Sequence, residues 1–299
     1  MRVGSSAVAS DTGRKRRRNE DSYVVAPPLF AVADGMGGAQ AGEVASKLAA
    51  AVLEAPADGA LAGTERLAAL IREANRRVFE RSTVDPATSG MGTTMTVALA
   101  EGRVVAIGHV GDSRAYLLRG GRLEQLTEDH SLVNELLKTG KLSPEEAEVH
   151  PQRSVITRAV GTDPEVDVDA FTVDAEDGDV FLLCSDGLTD MVEDEDILDL
   201  LARHADDLDR ATRALIGAAN RGGGEDNVTA VAFRIAADGA DTVVMAAVAE
   251  PDEKTLESVE PAPAVDTMVI PPDRVEQELL ASGSPEAEAA VRGGPARTG

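Results

Sequence analysis

Apolar residues follow two different rhythms along this chain, and together they predict a mixed α and β fold. Short runs rich in β-branched residues, bounded by Gly, Asp or Asn, predict strands at 29–33, 95–100, 104–109, 115–118, 180–184 and 228–235. Apolar positions spaced three and four apart predict helices over 41–53, 64–81, 132–139, 194–204 and 206–219. Strand follows strand around Arg103 and again around Gly120-Gly121, the second reading as a tight hairpin turn. Such neighbours argue for antiparallel sheets with helices packed outside them, an α+β arrangement rather than a doubly wound one. Residues 128–158 are too polar for a core and predict an irregular, mobile flap near a site.

Composition divides the chain. Every aromatic residue, from Tyr23 to Phe233, precedes residue 234, and half of the 14 prolines follow it. Without aromatics, and rich in Pro, Ala and Glu, residues 237–299 cannot bury enough surface to offset the entropy of ordering. The expected organisation is therefore a globular domain over 1–236 and a mostly disordered acidic tail over 237–299. A formal charge of −24 argues against nucleic-acid or anionic-membrane partners. It also fits a chain that collects divalent cations, although a solvated acidic surface gives the same composition. The single cysteine, Cys184, excludes a disulfide framework and a cysteine–histidine zinc site. With no leader-like N-terminus and no run of about 18 apolar residues, a cytoplasmic protein without a membrane span is expected.

Candidate chemistry lies in five acidic settings: Glu20-Asp21 after an arginine-rich run, Asp34 before Gly35-Met36-Gly37-Gly38, Asp112 in Gly-Asp-Ser-Arg, Asp186 in Ser-Asp-Gly, and Asp226 in Glu-Asp-Asn-Val-Thr. Hard divalent cations need several carboxylates gathered from distant parts of a chain. Strand ends are rigid places to mount them, and glycine lets substrate approach. A single such Asp is as well explained by a turn. Several together point to a metal-dependent hydrolase of phosphoester bonds. Arg16, five residues before Asp21, is the candidate phosphate ligand because its guanidinium matches phosphate geometry.

Other residues take plainer readings. A cysteine-nucleophile phosphate loop would need Arg six residues after Cys184, where Asp190 stands, so Cys184 reads as a small apolar core residue. His109 and His204 end elements and read as structural, whereas His130 and His150 lie on the flap, where a substrate or proton-transfer role is conceivable. In the tail, Asp241-Thr242-Val243-Val244-Met245 is echoed by Asp266-Thr267-Met268-Val269-Ile270. Chance produces such echoes in a Val- and Asp-rich tail. The sharper reading makes Thr242 and Thr267 phosphoacceptors.

Over about residues 10–235 the sequence resembles the bacterial metal-dependent serine/threonine protein phosphatases of the type 2C, or PPM, family. The resemblance rests on R-x-x-N-E-D at 16–21, D-G-M-G-G at 34–38, G-T-T at 92–94, G-D-S-R at 111–114, H-P-Q-R-S at 150–154, S-D-G at 185–187 and E-D-N-V-T at 225–229. It implies a four-layer α-β-β-α sandwich with a binuclear Mn2+ or Mg2+ site at one edge and a possible third ion. Asp34 would bridge the two core ions, the Gly35 carbonyl would bind one, and Asp186 and Asp226 would complete the other. Glu20 and Asp21 match positions that hold ions directly or through water. Asp112 matches a ligand of the third ion, with Ser154 contributing near the flap, and Arg16 would hold the substrate phosphate.

The implied activity is hydrolysis of phosphoserine and phosphothreonine in proteins by a metal-activated water, opposing bacterial Ser/Thr kinases. The expected partners are phosphorylated proteins, kinases and their substrates among them, met by a monomer. Met36 stands where eukaryotic members carry histidine, so no imidazole is available there as a proton donor. Two rivals remain: the same site dedicated to one substrate, such as an anti-sigma-factor antagonist, and a non-catalytic binder of phosphorylated partners. The intact Asp34, Asp186 and Asp226 argue against the second.

Overall fold

The computed structural model describes residues 1–37, 41–55, 61–148, 150–237 and 268–270. Two antiparallel sheets lie face to face. The first runs in the order β1 (Arg2–Asp11), β12 (Val228–Ala236), β11 (Val180–Cys184), β7 (Arg114–Arg119), β8 (Arg122–Gln125). The second runs β10 (Asp169–Asp174), β6 (Val104–Val110), β5 (Met95–Glu101), β3 (Leu29–Met36), β2 (Asp21–Ala26), and β4 (Gly92–Thr93) adds to the end of β3.

The long apolar runs are explained by burial on both faces. Along β12, Val228, Ala230 and Ala232 face one core while Val231, Phe233 and Ile235 face another. The first of these cores lies under α6 (Asp194–Arg203) and α7 (Leu208–Gly222). The second lies between the sheets, where Phe233 stacks on Phe30 and Phe181 with centroids 4.2 and 5.1 Å apart. A third joins the outer face of β3, β5 and β6 to α1 (Ala41–Glu54) and α2 (Gly63–Val84). The order is therefore α-β-β-α, as the resemblance implied. Gly120 and Gly121 make the β7–β8 hairpin, both with positive φ.

The helix expected over 132–139 is present, but the rest of the flap departs from its expectation. Residues 128–158 carry α3 (Leu132–Lys138), α4 (Pro144–Glu148) and β9 (Val155–Ile156), and Leu132, Leu136 and Val155 are buried together with Ile270. A polar average concealed a few apolar residues that converge once α3 and β9 form. Ile270 belongs to the tail, where β13 (Met268–Val269) pairs in parallel with β9. The proposed phosphoacceptors Thr242 and Thr267 lie outside the described residues, as does nearly all of the tail.

Two histidines fasten the flap to β6. His109 is fully buried, with its ring nitrogens 2.9 Å from the Thr96 hydroxyl and 3.1 Å from the Glu128 carbonyl. His130 packs against it, accepts the Gly111 N–H at 3.0 Å, and meets Asp169 and Arg158, each at 3.1 Å. Those contacts occupy both nitrogens of His130, so it is a structural residue, not a proton donor to substrate. Burial, with the neighbouring His130 second, pushes the His109 pKa down from 6.5 to about 3. The unfolded chain then takes up a proton below pH 6.5 that the folded chain refuses, so this contribution to stability is full above pH 6.5 and is lost toward pH 3. At pH 5 the loss is about 2 kcal/mol by linkage. The His109 ring resonance should not titrate between pH 8 and 5 in NMR spectra, and a midpoint near the ordinary histidine value would contradict this assignment.

Candidate metal centre

Antiparallel pairing collects the acidic motifs at one edge of the sandwich. β2 begins with Asp21 directly opposite Asp34 near the end of β3. Like charges in that position repel, so a cross-strand Asp pair has a cost that packing alone does not explain. Asp112 sits in the turn from β6 to β7, where the chain passes between the sheets. Cys184, the last residue of β11, pairs with Arg114 at the start of β7 and with Ala230 near the start of β12. Asp186, opening α5 (Asp186–Thr189), and Asp226, just before β12, therefore join the same edge.

Each carboxylate is held from its backbone outward. The Asp34 N–H donates to the Thr94 hydroxyl at 3.0 Å, and its carbonyl accepts from the Thr93 hydroxyl and the Thr94 N–H, both at 2.8 Å. Ser113 supports Thr94, hydroxyl to hydroxyl at 2.6 Å, which links G-T-T to G-D-S-R. Asp21 Oδ2 accepts from Ser185 at 2.9 Å and Thr229 at 2.6 Å, both from the other sheet. Asn227 ties the arginine-rich loop down, donating to the carbonyls of Thr12 and Arg18 and accepting the Glu20 N–H at 2.7 Å. Gly35 is required by space: a Cβ there would lie 2.1 Å from the Gly42 carbonyl oxygen and 2.6 Å from that of Glu20.

Electrostatics shows how closely the carboxylates face one another. Burial raises the pKa of Asp34 well above the ordinary carboxylate range, and the charges of Asp21, Asp186, Asp226 and Asp112 raise it further. Burial likewise lifts Asp186, with Asp112 and Asp226 adding to it. Asp21 is pushed up to about 6 by burial, against its hydrogen bonds from Thr229 and Ser185. Asp112 reaches about 7 through burial and the nearby Asp129 and Asp190. A protein without cations holds this centre only by keeping protons on it.

The donors suit hard divalent ions. Among the described residues, Oδ1 of Asp21 and Oδ1 of Asp186 are buried without a hydrogen-bond partner, an arrangement that costs free energy unless something cationic meets them. No group of three or more His, Cys, Asp or Glu among the described residues forms a finished cage for one ion. That is compatible with ions such as Mg2+, which keep several waters and take only one or two carboxylates each.

The remaining expected residues occupy varied places. Arg16 reaches the centre, with Nη2 2.7 Å from Asp226 Oδ2. The Glu20 carboxylate lies against Gly42 at the start of α1, where a Cβ would come within 2.7 Å of it. Ser154 is in the turn before β9, next to Arg153, whose guanidinium is 3.9 Å from Asp190. Asp190 itself escaped the sequence reading. It caps α5 and has its pKa raised by burial, with Arg153 opposing. Its signal was its place four residues after Asp186, one helical turn away. Cys184 is fully buried, and burial pushes its thiol up to about 12.

The family model described as protein phosphatase 2C matches residues 14–220, which include every motif of the centre except E-D-N-V-T. The chain belongs to the protein phosphatase 2C family. Among its relatives, the serine/threonine protein phosphatase PstP of Mycobacterium tuberculosis is 45% identical over 75% of this chain and 44% of its own length. The chain thus spans under half of that protein. The serine/threonine phosphatase Stp of Listeria welshimeri is 42% identical over 74% of this chain and 91% of its own length. A crystal structure of the PstP catalytic domain in complex with two manganese ions superposes with a TM-score of 0.72 at 40% identity, covering 79% of this chain and 100% of that one. Like this chain, type 2C relatives of known structure are sandwiches of two antiparallel sheets and flanking helices.

Proposed function

We propose that this protein hydrolyses phosphoserine and phosphothreonine in other proteins, with divalent cations held by Asp34, Asp186, Asp226 and Asp21. The single observation that carries the reading is Asp34: a half-buried carboxylate facing four others at a sheet edge, in a chain of the 2C family. The PstP structure with two manganese ions supports Mn2+ as the working ion, with Mg2+ as its chemical alternative. Asp190 lies close enough to Asp112 to raise its pKa, and the two form the natural place for a third. When bound, such ions supply the charge that makes water a nucleophile near neutral pH and neutralises the phosphoryl group.

The chain's own residues do the rest. The Asp34 backbone, fixed by Thr93 and Thr94, sets the position of the central carboxylate before substrate arrives. Arg16 stands at the rim, where its guanidinium can exchange Asp226 for a phosphoryl oxygen and stabilise the charge that develops in the transition state. Met36 packs on Ile156 and Ala159 and supplies no proton. Cys184, buried with a raised pKa, is no nucleophile, which fits transfer of the phosphoryl group directly to water. Among the described residues no helix is long and apolar enough to cross a membrane. A cytoplasmic monomer opposing Ser/Thr kinases is the setting we propose.

The test is phosphate release from phosphothreonine, phosphoserine and phosphotyrosine peptides in Mn2+, by wild type and by Cys184→Ala. The first two peptides should be hydrolysed by both proteins at similar rates. Loss of activity in Cys184→Ala while the protein remains folded, or hydrolysis of the phosphotyrosine peptide alone, would overturn the reading.

A further inference from the structure

We propose that β9 of the flap is a strand-addition docking site for extended apolar segments, and that the chain's own residues 268–270 are its resident occupant. β13 pairs with β9 in parallel, Met268 opposite Val155 and Val269 opposite Ile156, and the Ile270 N–H donates to the Ile156 carbonyl at 3.2 Å. The other side of β9 is already engaged, since Ile156 bridges to Ser131 and the Thr157 N–H donates to the His130 carbonyl at 2.8 Å. Without the tail, β9 would present an open edge able to pair with any extended chain.

Side chains add selectivity to the backbone pairing. Ile270 is buried in a pocket made by Leu132, Leu136, Val155 and the partly buried Leu142. Val269 packs instead with Met36, Ile156 and Ala159. A ligand must therefore offer two successive apolar residues that face opposite ways, as an extended strand does. The tail holds a second sequence of that kind: Val244-Met245, preceded by Asp-Thr-Val, matches Val269-Ile270, preceded by Asp-Thr-Met. The echo singled out in the sequence is thus explained as two copies of one docking segment.

The contact suits exchange. A two-residue strand is marginal by itself, and its hold depends on the high effective concentration of a tethered ligand. It also touches the centre, because Met36 lies two residues after Asp34 and packs in the same cluster as Val269. A segment of a phosphoprotein using this groove would have to displace the tail. That consequence rests on the proposed phosphatase function; the docking itself does not.

The experiment uses the full chain and Ile270→Asp, made together with Met245→Asp so that the second copy cannot fill the vacated groove, read by hydrogen exchange and by binding of labelled peptides spanning residues 264–272 and 239–247. In wild type, exchange at 153–158 and 268–270 should be slow, and the double variant should speed it about tenfold or more, as expected when a tethered ligand is lost. Both peptides should bind the double variant about tenfold more tightly than wild type, where the tethered segment competes. Adding Leu142→Asp should remove that binding. Unchanged exchange in the double variant, or peptides that bind both proteins equally or neither, would overturn the proposal. Failure of the 239–247 peptide alone would overturn the role of the second copy. None of these readouts involves phosphate release, so a failure here is distinct from a failure of the phosphatase reading.

Discussion

Asp34→Asn should lower phosphothreonine-peptide hydrolysis by roughly a thousandfold, the scale expected when several kcal/mol of transition-state charge stabilisation is lost. The same substitution should make the cation-free protein more stable. Both signs follow from one arrangement. Asp34 is half-buried among Asp21, Asp186, Asp226 and Asp112, and its pKa is driven well above the usual range. Ionising it at neutral pH without a counter-ion costs free energy that the unfolded chain does not bear. Asparagine keeps the shape, removes the charge and relieves its neighbours. A gain of about 1–2 kcal/mol is the expected scale, or a few degrees in the melting temperature of a domain this size. Parallel melts in chelator and assays in Mn2+ check the pair. A variant that is inactive and less stable in chelator would show that Asp34 has a structural role instead.

The second large effect is the pH dependence of metal stabilisation. Asp21, at about 6, and Asp112, at about 7, have pKa values raised above the ordinary carboxylate value of 3.8. The folded, cation-free protein therefore binds more protons than the unfolded chain between those limits. By linkage, these groups contribute stability that is fully present below pH 3.8 and is lost as pH rises through 6 and 7. A net charge of −24 pushes in the same direction through self-repulsion. Cations bind only the deprotonated centre and release its protons, so their apparent affinity rises by up to about tenfold per pH unit for each proton displaced. Thermal melts in chelator and in Mn2+ should diverge steadily from pH 5 to pH 8. An Mn2+-induced rise that is equal at pH 5 and pH 8, or absent, would contradict this electrostatic account.

Much of the fold could be read from residues 29–33, 95–100, 104–109 and 180–184, because strands buried on both faces leave continuous apolar runs. The edge strands were not legible. β1 contains Gly4, Ser5, Ser6 and Ser10, and β10 alternates exposed and half-buried positions, so neither forms an apolar run. The centre was legible because Gly, Ser, Thr and Asn surround each Asp for reasons the structure supplies. Gly35 has no room for a side chain, Ser185 and Thr229 hold Asp21, and Asn227 fastens the loop that carries Glu20. Asp190 was hidden because its neighbourhood is created by folding. The flap core was hidden for a similar reason: Leu136, Val155 and Ile270 come together only when β13 pairs with β9. Composition sets residues 237–299 apart from the rest of the sequence without singling out the three of them, 268–270, that pack on β9 and α3.

The most direct test of the central claim is phosphate release from a phosphothreonine peptide by the full chain in chelator, after Mn2+ is restored, and by Asp186→Ala in Mn2+. Asp186 is the choice because its buried Oδ1 is left without a hydrogen-bond partner among the described residues and it lies in the centre with Asp34. The account predicts release only from wild type with Mn2+. Release that persists in chelator, or an Asp186→Ala variant as fast as wild type, would contradict a metal-dependent centre at this sheet edge.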